Sequence, residues 1–195
     1  MPHKLKSSRL ILKRTALIIN PSSAQNKWLR NRKLRQYLHQ KFPGRIFDHA
    51  VDKAGMIELA RKLSLENDIL VGFGGDGTLA DLMQGIFEAG REKDVILGIV
   101  PFGSGNALRK SLQIPKQVKK AIKVLIKGEP KPIDLIDIGG RVASFVSIGA
   151  TGKVTQEKSR YKIPGILGFL LAARIMFTHL REEMEVELFD GIDDK

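Results

Sequence analysis

The stretch "DILVGFGGDGTLAD", residues 68–81, joins two textures whose succession decides the fold. Its first half is a short apolar run, the pattern of a strand buried on both faces. Its second half sets Gly74, Gly75 and Gly77 around Asp76. There the spacing Leu79, Leu82, Met83, Ile86 begins, which places apolar side chains on one face of a helix. A strand, a glycine loop and a helix in that order is either a tight turn or a loop shaped to hold phosphate.

The same alternation continues on both sides. Upstream, "TALIIN" (15–20) is an apolar run ended by Asn20-Pro21, and "AQNKWLRNRKLRQYLHQKF" (24–42) has helical spacing at Leu34, Tyr37 and Leu38. "RIFDHA" (45–50) is a weaker strand, and Met56, Leu59, Ala60 and Leu63 mark another amphipathic helix. Downstream, "DVILGIV" (94–100) reads as a strand, and Val118, Ala121, Ile122 and Leu125 as a helix. Apolar strands alternating with helices predict an α/β fold, a parallel sheet covered on both faces. From about residue 132 the pattern changes. "PIDLIDIGGRVASFVSIGA" predicts two antiparallel strands joined by a Gly-Gly turn, followed by an apolar helix (164–180) and a strand (183–190). The domain boundary is expected near 130–133: a basic lead-in (1–14), an α/β nucleotide-binding domain (15–132) and a partial second domain (133–195).

Composition narrows the classes of function. The chain has 195 residues and no cysteine, which removes disulfides and thiolate metal sites and fits a reducing, cytoplasmic setting. No continuous apolar run reaches the ~18 residues of a membrane span, and the amino terminus lacks a secretory pattern. The net charge of +12 is uneven: residues 1–47 hold 12 Lys/Arg and no Asp or Glu, while the remainder balances 21 against 21. That surplus predicts attraction to polyanions, whether the head groups of an anionic membrane surface, nucleic acid or nucleotide. The plainer reading is a solvated basic helix and a loose tail.

The chemistry concentrates at three strand ends, where open α/β sheets bind ligands. In "GGDGT" glycine lets an anion approach without meeting a Cβ, and the helix that follows adds its amino-terminal dipole. Thr78 and Asp81 form a Thr-x-x-Asp capping pattern that predicts the helix start. Asp76 is the odd member, since a carboxylate repels phosphate unless it coordinates Mg²⁺ or accepts a proton from an attacking hydroxyl. The structural alternative is a turn that Asp76 merely caps. "VPFGSGNALRKSL" (100–112) is a second such loop, with Ser104 between Gly103 and Gly105, and Asn106 suited to an adenine edge or a ribose. "NPSS" (20–23) is a third.

Together "LIINPSSAQNK", "GFGGDGTLADLMQGI" and "GIVPFGSGNALRKSLQIP" resemble, in order and spacing, the catalytic domain of diacylglycerol kinase-type lipid kinases. The resemblance runs over about residues 15–190. It implies an NAD kinase/diacylglycerol kinase-like α/β domain followed by part of a β-sandwich domain. By that analogy ATP is held by Asn20, Gly74, Gly75, Gly77, Thr78, Ser104, Gly105 and Asn106. Asp76 acts at the γ-phosphate as base or through Mg²⁺, and Asp81, where the family usually has Glu, supports it as a further candidate metal ligand.

Two departures from the family pattern refine this. "GATGKVTQEKSRYKIPG" (149–165) carries Lys153 and Thr155 where sphingosine kinases place acids for a long-chain base. A diacylglycerol-like acceptor therefore fits better than sphingosine. The chain also stops at "ELFDGIDDK", inside the second domain of such proteins, so it reads as a fragment or a shortened homologue.

The four histidines form no metal-binding spacing, and Trp28 is expected to pack within its domain rather than anchor at a membrane. The implied protein is a cytoplasmic, peripherally membrane-associated lipid kinase with a lipid substrate. Homo-oligomerisation through an exposed apolar helix is compatible with it. The competing readings are an NAD kinase, a non-catalytic nucleotide-binding module and, resting on charge alone, a nucleic-acid binder. No specific nucleic acid is expected, because aromatics are only 6% of the chain and no recognition motif is present.

Overall fold

A computed structural model describes residues 14–50, 52–103, 106–146 and the isolated positions 152, 170 and 174. The chain divides into two compact units after Ser144. Apart from Leu170 and Arg174, both helical, the helix expected at 164–180 lies outside the described residues, as do the strand at 183–190 and the basic residues 1–13.

Four parallel strands form the sheet of the first unit: β1 (Thr15–Ile19), β2 (Ile46–Phe47), β3 (Ile69–Gly74) and β4 (Ile96–Pro101), in the order β2-β1-β3-β4. β1 and β3 pair from Thr15↔Ile69 to Ile19↔Phe73, and β3 and β4 from Ile69↔Ile96 to Gly74↔Pro101. Both central strands are buried at every position. Their unbroken apolar sequence follows from this, since a strand with helices on both faces has no solvent side.

One face is covered by α1 (Ser23–Arg30), α2 (Arg32–Lys41) and α6 (Val118–Lys127). They deliver Trp28, Leu38, Ala121 and Ile122 to Leu17, Ile19, Val71 and Phe73 in one core cluster. The other face is covered by α3 (Lys53–Glu66) and α4 (Asp76–Glu88), which bring Met56, Ala60, Leu82 and Ile86 against Ala16, Ile18 and Leu70. The α/β class is as expected. A short α5 (Ala107–Ser111) follows β4.

Three local expectations change. The single helix over 24–42 is two helices, interrupted at Asn31, whose side chain caps α2 by accepting from the Leu34 amide at 3.0 Å. The strand at 45–50 shrinks to Ile46–Phe47. The helix after the glycine loop begins at Asp76 with Gly75 as its cap residue, so the Thr78–Asp81 capping pattern does not mark its start. Thr78 lies inside the first turn, 6% exposed, and its hydroxyl is turned to another strand end.

The Gly-Gly hairpin forms as read, with β5 (Ile136–Ile138) antiparallel to β6 (Arg141–Ala143). Gly139 and Gly140 both take positive φ, 58° and 84°, the requirement of a type I′ turn. The hairpin packs within the first unit. Val142 joins Leu79 and Met83 of α4, and the Gln84 amide donates to the Gly140 carbonyl (2.9 Å) while its oxygen accepts from the Val142 N–H (3.0 Å).

Candidate nucleotide site at the strand ends

The chain leaves β1 toward β2 on one side and returns to β3 on the other, so the sheet's order reverses between β1 and β3. Beyond the carboxyl ends of strands at such a reversal lies a crevice that helices cannot fill. Asn20 follows β1, Gly75-Asp76 follow β3 and Phe102-Gly103 follow β4. All three segments expected to bind nucleotide therefore meet at one edge.

They are tied to one another rather than merely near. The Asn20 side-chain amide donates to Thr78 Oγ1 at 3.0 Å, joining the β1 end to the first turn of α4. Its carbonyl oxygen accepts from the Ser22 amide (3.0 Å) and the Ser22 hydroxyl (2.6 Å), which folds the "NPSS" segment. Backbone bonds from Asn20 N–H to the Phe73 carbonyl (3.2 Å) and from Phe102 N–H to the Gly74 carbonyl (2.9 Å) hold the three ends in line.

Glycine is required here by approach. A Cβ on Gly75 would stand 3.3 Å from the Gly103 Cα, and one on Gly103 would overlap the Gly75 backbone. The two glycine loops are in backbone contact, which any side chain would prise apart. Gly77 differs, because beyond its own helix a Cβ there would meet nothing within 4 Å among the described residues. Its space is open, as an anion approaching the start of α4 would need. With Gly75 as cap, α4 has no side chain to cap its leading amides, and these with the helix dipole attract negative charge.

Asp76 opens α4, and one of its carboxylate oxygens accepts from the Leu108 N–H at 3.2 Å. The glycine loop is thereby latched to α5, and the other oxygen has no protein donor among the described residues. Asn106, 6% exposed and left-handed at φ 54°, donates to the Gly103 carbonyl (2.7 Å) and accepts from the Gly103 N–H (3.3 Å). Its amide closes its own loop, so the expected adenine or ribose contact is not what occupies it here. Ser104 and Gly105 lie outside the described residues.

Asp81 is half-buried one turn beyond Thr78. Burial pushes its carboxyl above the usual range, and Lys53 and Arg141 pull it partly back. Among the described residues no group of three His, Asp, Glu or Cys could hold a metal by itself. The donor set suits Mg²⁺, which keeps several waters and takes one or two carboxylates together with the phosphates of its substrate. Asp76 is the carboxylate so placed. Trp28 is fully buried, its indole N–H donating to Asp48 at 2.7 Å, which confirms the internal role expected for it.

Sequence reasoning found the loops but missed two of their fastenings. The Gly75–Gly103 contact and the Gln84 clamp join residues about 30 and 56 positions apart, and neither has a local signature.

An α/β sheet whose reversal point carries a glycine–aspartate loop latched to a second glycine loop has the architecture of a candidate nucleotide site. The diacylglycerol kinase catalytic domain matches residues 14–138, and the chain belongs to that family. It is 29% identical to a diacylglycerol kinase of Staphylococcus saprophyticus over 92% of this chain and 61% of that protein. To one from Staphylococcus aureus it is 28% identical, over 92% and 59%. The crystal structure of a diacylglycerol kinase from Bacillus anthracis superposes with a TM-score of 0.60 at 25% identity, covering 82% of this chain and 53% of that one. The chain thus spans about 60% of the length of the curated relatives it matches.

Proposed function

We infer that the chain carries the nucleotide-binding part of an ATP-dependent lipid kinase, which transfers the γ-phosphoryl group to the hydroxyl of a diacylglycerol-like lipid. The observation that supports this most is the latch between Asp76 and Leu108. It holds a carboxylate at the mouth of a glycine loop, where a phosphoryl acceptor would be deprotonated.

In this reading Gly74, Gly75, Gly77 and Thr78 supply the phosphate-facing backbone. Asn20 holds Thr78 in place, and Ser104, Gly105 and Asn106 form the opposite wall toward the nucleoside. The lipid oxygen bonds to the γ-phosphorus as the bond to the β-phosphate oxygen breaks and ADP leaves. The hydroxyl proton passes to Asp76. Mg²⁺, when bound, neutralises phosphate charge, with Asp76 and then Asp81 as the residues to hold it. The second, β-sandwich domain that the family resemblance implies lies in the residues beyond Ser144 and shapes the acceptor site. Lys153 in it disfavours a protonated sphingoid amine.

The protein works at an anionic membrane surface on the cytoplasmic side, drawn there by the basic residues 1–47. No helix among the described residues is long and apolar enough to cross a membrane. The NAD kinase alternative rested on "GGDGT" alone, whereas the family match extends over all three loops.

Transfer of labelled phosphate from ATP to diacylglycerol in mixed micelles tests the reading. Asp76→Asn should lower the rate by about 10²–10⁴-fold, the usual contribution of a positioned general base. ATP binding with no transfer to any lipid would favour the non-catalytic module instead.

A further inference from the structure

The two helical layers that sandwich the sheet carry opposite charge. α1 and α2 hold six Lys/Arg and α6 four, with no Asp or Glu in any of the three. Across the sheet, α3 and α4 hold three basic and five acidic residues. The ion pairs among the described residues all lie off the basic layer: Arg14–Asp68, Glu58 with Arg61 and Lys62, and Arg91–Asp94. Asp48, just after β2, accepts from the Trp28 indole of α1.

Apart from Lys27, whose side chain lies outside the described residues, the cations of these helices sit on one side of one sheet. α1, α2 and α6 share a single core cluster, and Lys119 of α6 stands over the Tyr37 ring of α2 at 5.7 Å. Two large aliphatic side chains stand out among them, Leu29 on α1 (52% exposed) and Val124 on α6 (41%).

We propose that the α1–α2–α6 layer is a docking face for an anionic lipid bilayer, with the lysines of α6 as full partners of the amino-terminal basic helices. This rests on the lipid-kinase reading above and extends it to a segment that begins 71 residues beyond residue 47, at Val118, identified by tertiary packing alone. Cations at the surface attract anionic headgroups, while Leu29 and Val124 are placed to enter the acyl boundary, the pairing that holds interfacial helices. A single-stranded nucleic acid would be gripped by exposed aromatic rings, and on this layer Trp28 is buried and Tyr37 lies beneath Lys119, while a duplex, which needs only the cations, is told apart by the DNA arm of the test. α1 starts three residues after Asn20, so docking by this layer brings the rim of the strand-end crevice to the headgroups.

The test is co-sedimentation of the 195-residue chain with phosphatidylglycerol/phosphatidylcholine vesicles. Micellar phosphate transfer and DNA competition are measured on the same preparations. Wild type should bind the anionic vesicles, and K120E/K123E should weaken binding by about tenfold or more. K62E/K93E, an equal charge change off the layer, should alter it less than about twofold. L29S/V124S should bind normally at low salt but lose the salt-resistant fraction. Equal binding of K120E/K123E and wild type overturns the proposal, as does displacement of vesicles by DNA at about 0.15 M salt, where surface charges are screened beyond ~8 Å. Micellar transfer without any vesicle binding overturns the docking face and leaves the kinase reading standing. The expected vesicle pattern without micellar transfer supports the docking face and overturns the kinase reading.

Discussion

At the scale of single residues, the proposed function gives Asp76 a catalytic task beside the latch to Leu108, and two substitutions divide them. Asparagine keeps an oxygen for the Leu108 N–H, so Asp76→Asn should melt within a degree or two of wild type while transfer collapses. Alanine loses the latch too, and Asp76→Ala should cost about 1 kcal/mol of stability in addition, measured by denaturant unfolding. Thr78 supplies a second test. Thr78→Val preserves shape but leaves the Asn20 amide without its acceptor, which should destabilise by about 1–2 kcal/mol, while Thr78→Ser should not.

Asp81 sets a pH dependence. Its folded-state carboxyl lies above the usual range because burial disfavours the charge. Ionised Asp81 therefore weakens the fold at every pH above its raised value, and that cost disappears as pH falls toward the ordinary carboxylate range. Asp81→Asn should raise stability at pH 7 and match wild type near pH 4, as read by urea titration at both pH values.

At the scale of elements, α3 and α4 cross closely because Gly85 has no side chain. A Cβ there would strike the Ile57 carbonyl and stand 2.7 Å from the Ala60 Cβ and 2.8 Å from the Arg61 amide nitrogen. Alanine is the better helix former by about 1 kcal/mol, yet Gly85→Ala should destabilise the protein by about 1–3 kcal/mol, because backbone cannot yield as a side chain can. A rise in melting temperature on this substitution would show that the two helices separate easily. α4 matters beyond its own packing. It begins at Asp76, contacts Asn20 through Thr78 and holds the hairpin through Gln84, so a shift of this helix moves both the loop and the hairpin.

At the largest scale, the basic residues of α1, α2 and α6 gather in one layer of the first unit. Sequence order places the excess in residues 1–47. Packing adds α6 to it and sets α3 and α4, acidic in balance, on the opposite side. An object so polarised should orient on an anionic surface, and its affinity there should fall steeply between about 0.05 and 0.2 M salt, read by vesicle sedimentation.

The class of the fold, the positions of its main strands and the three loops at their ends were all legible in local pattern. The reason is physical: burial on both faces demands unbroken apolar strands, and close backbone approach demands glycine. Boundaries governed by competition between neighbours were not legible. Thr78 and Asp81 look like a cap in sequence, but Thr78 finds a better partner 58 positions away in Asn20. The pairing of Gly75 with Gly103, the latch from Asp76 to Leu108 and the union of α1, α2 and α6 into one basic face were decided only by tertiary structure. Each depends on which strands lie side by side, and sequence periodicity reports the face a residue turns but not the neighbour it meets.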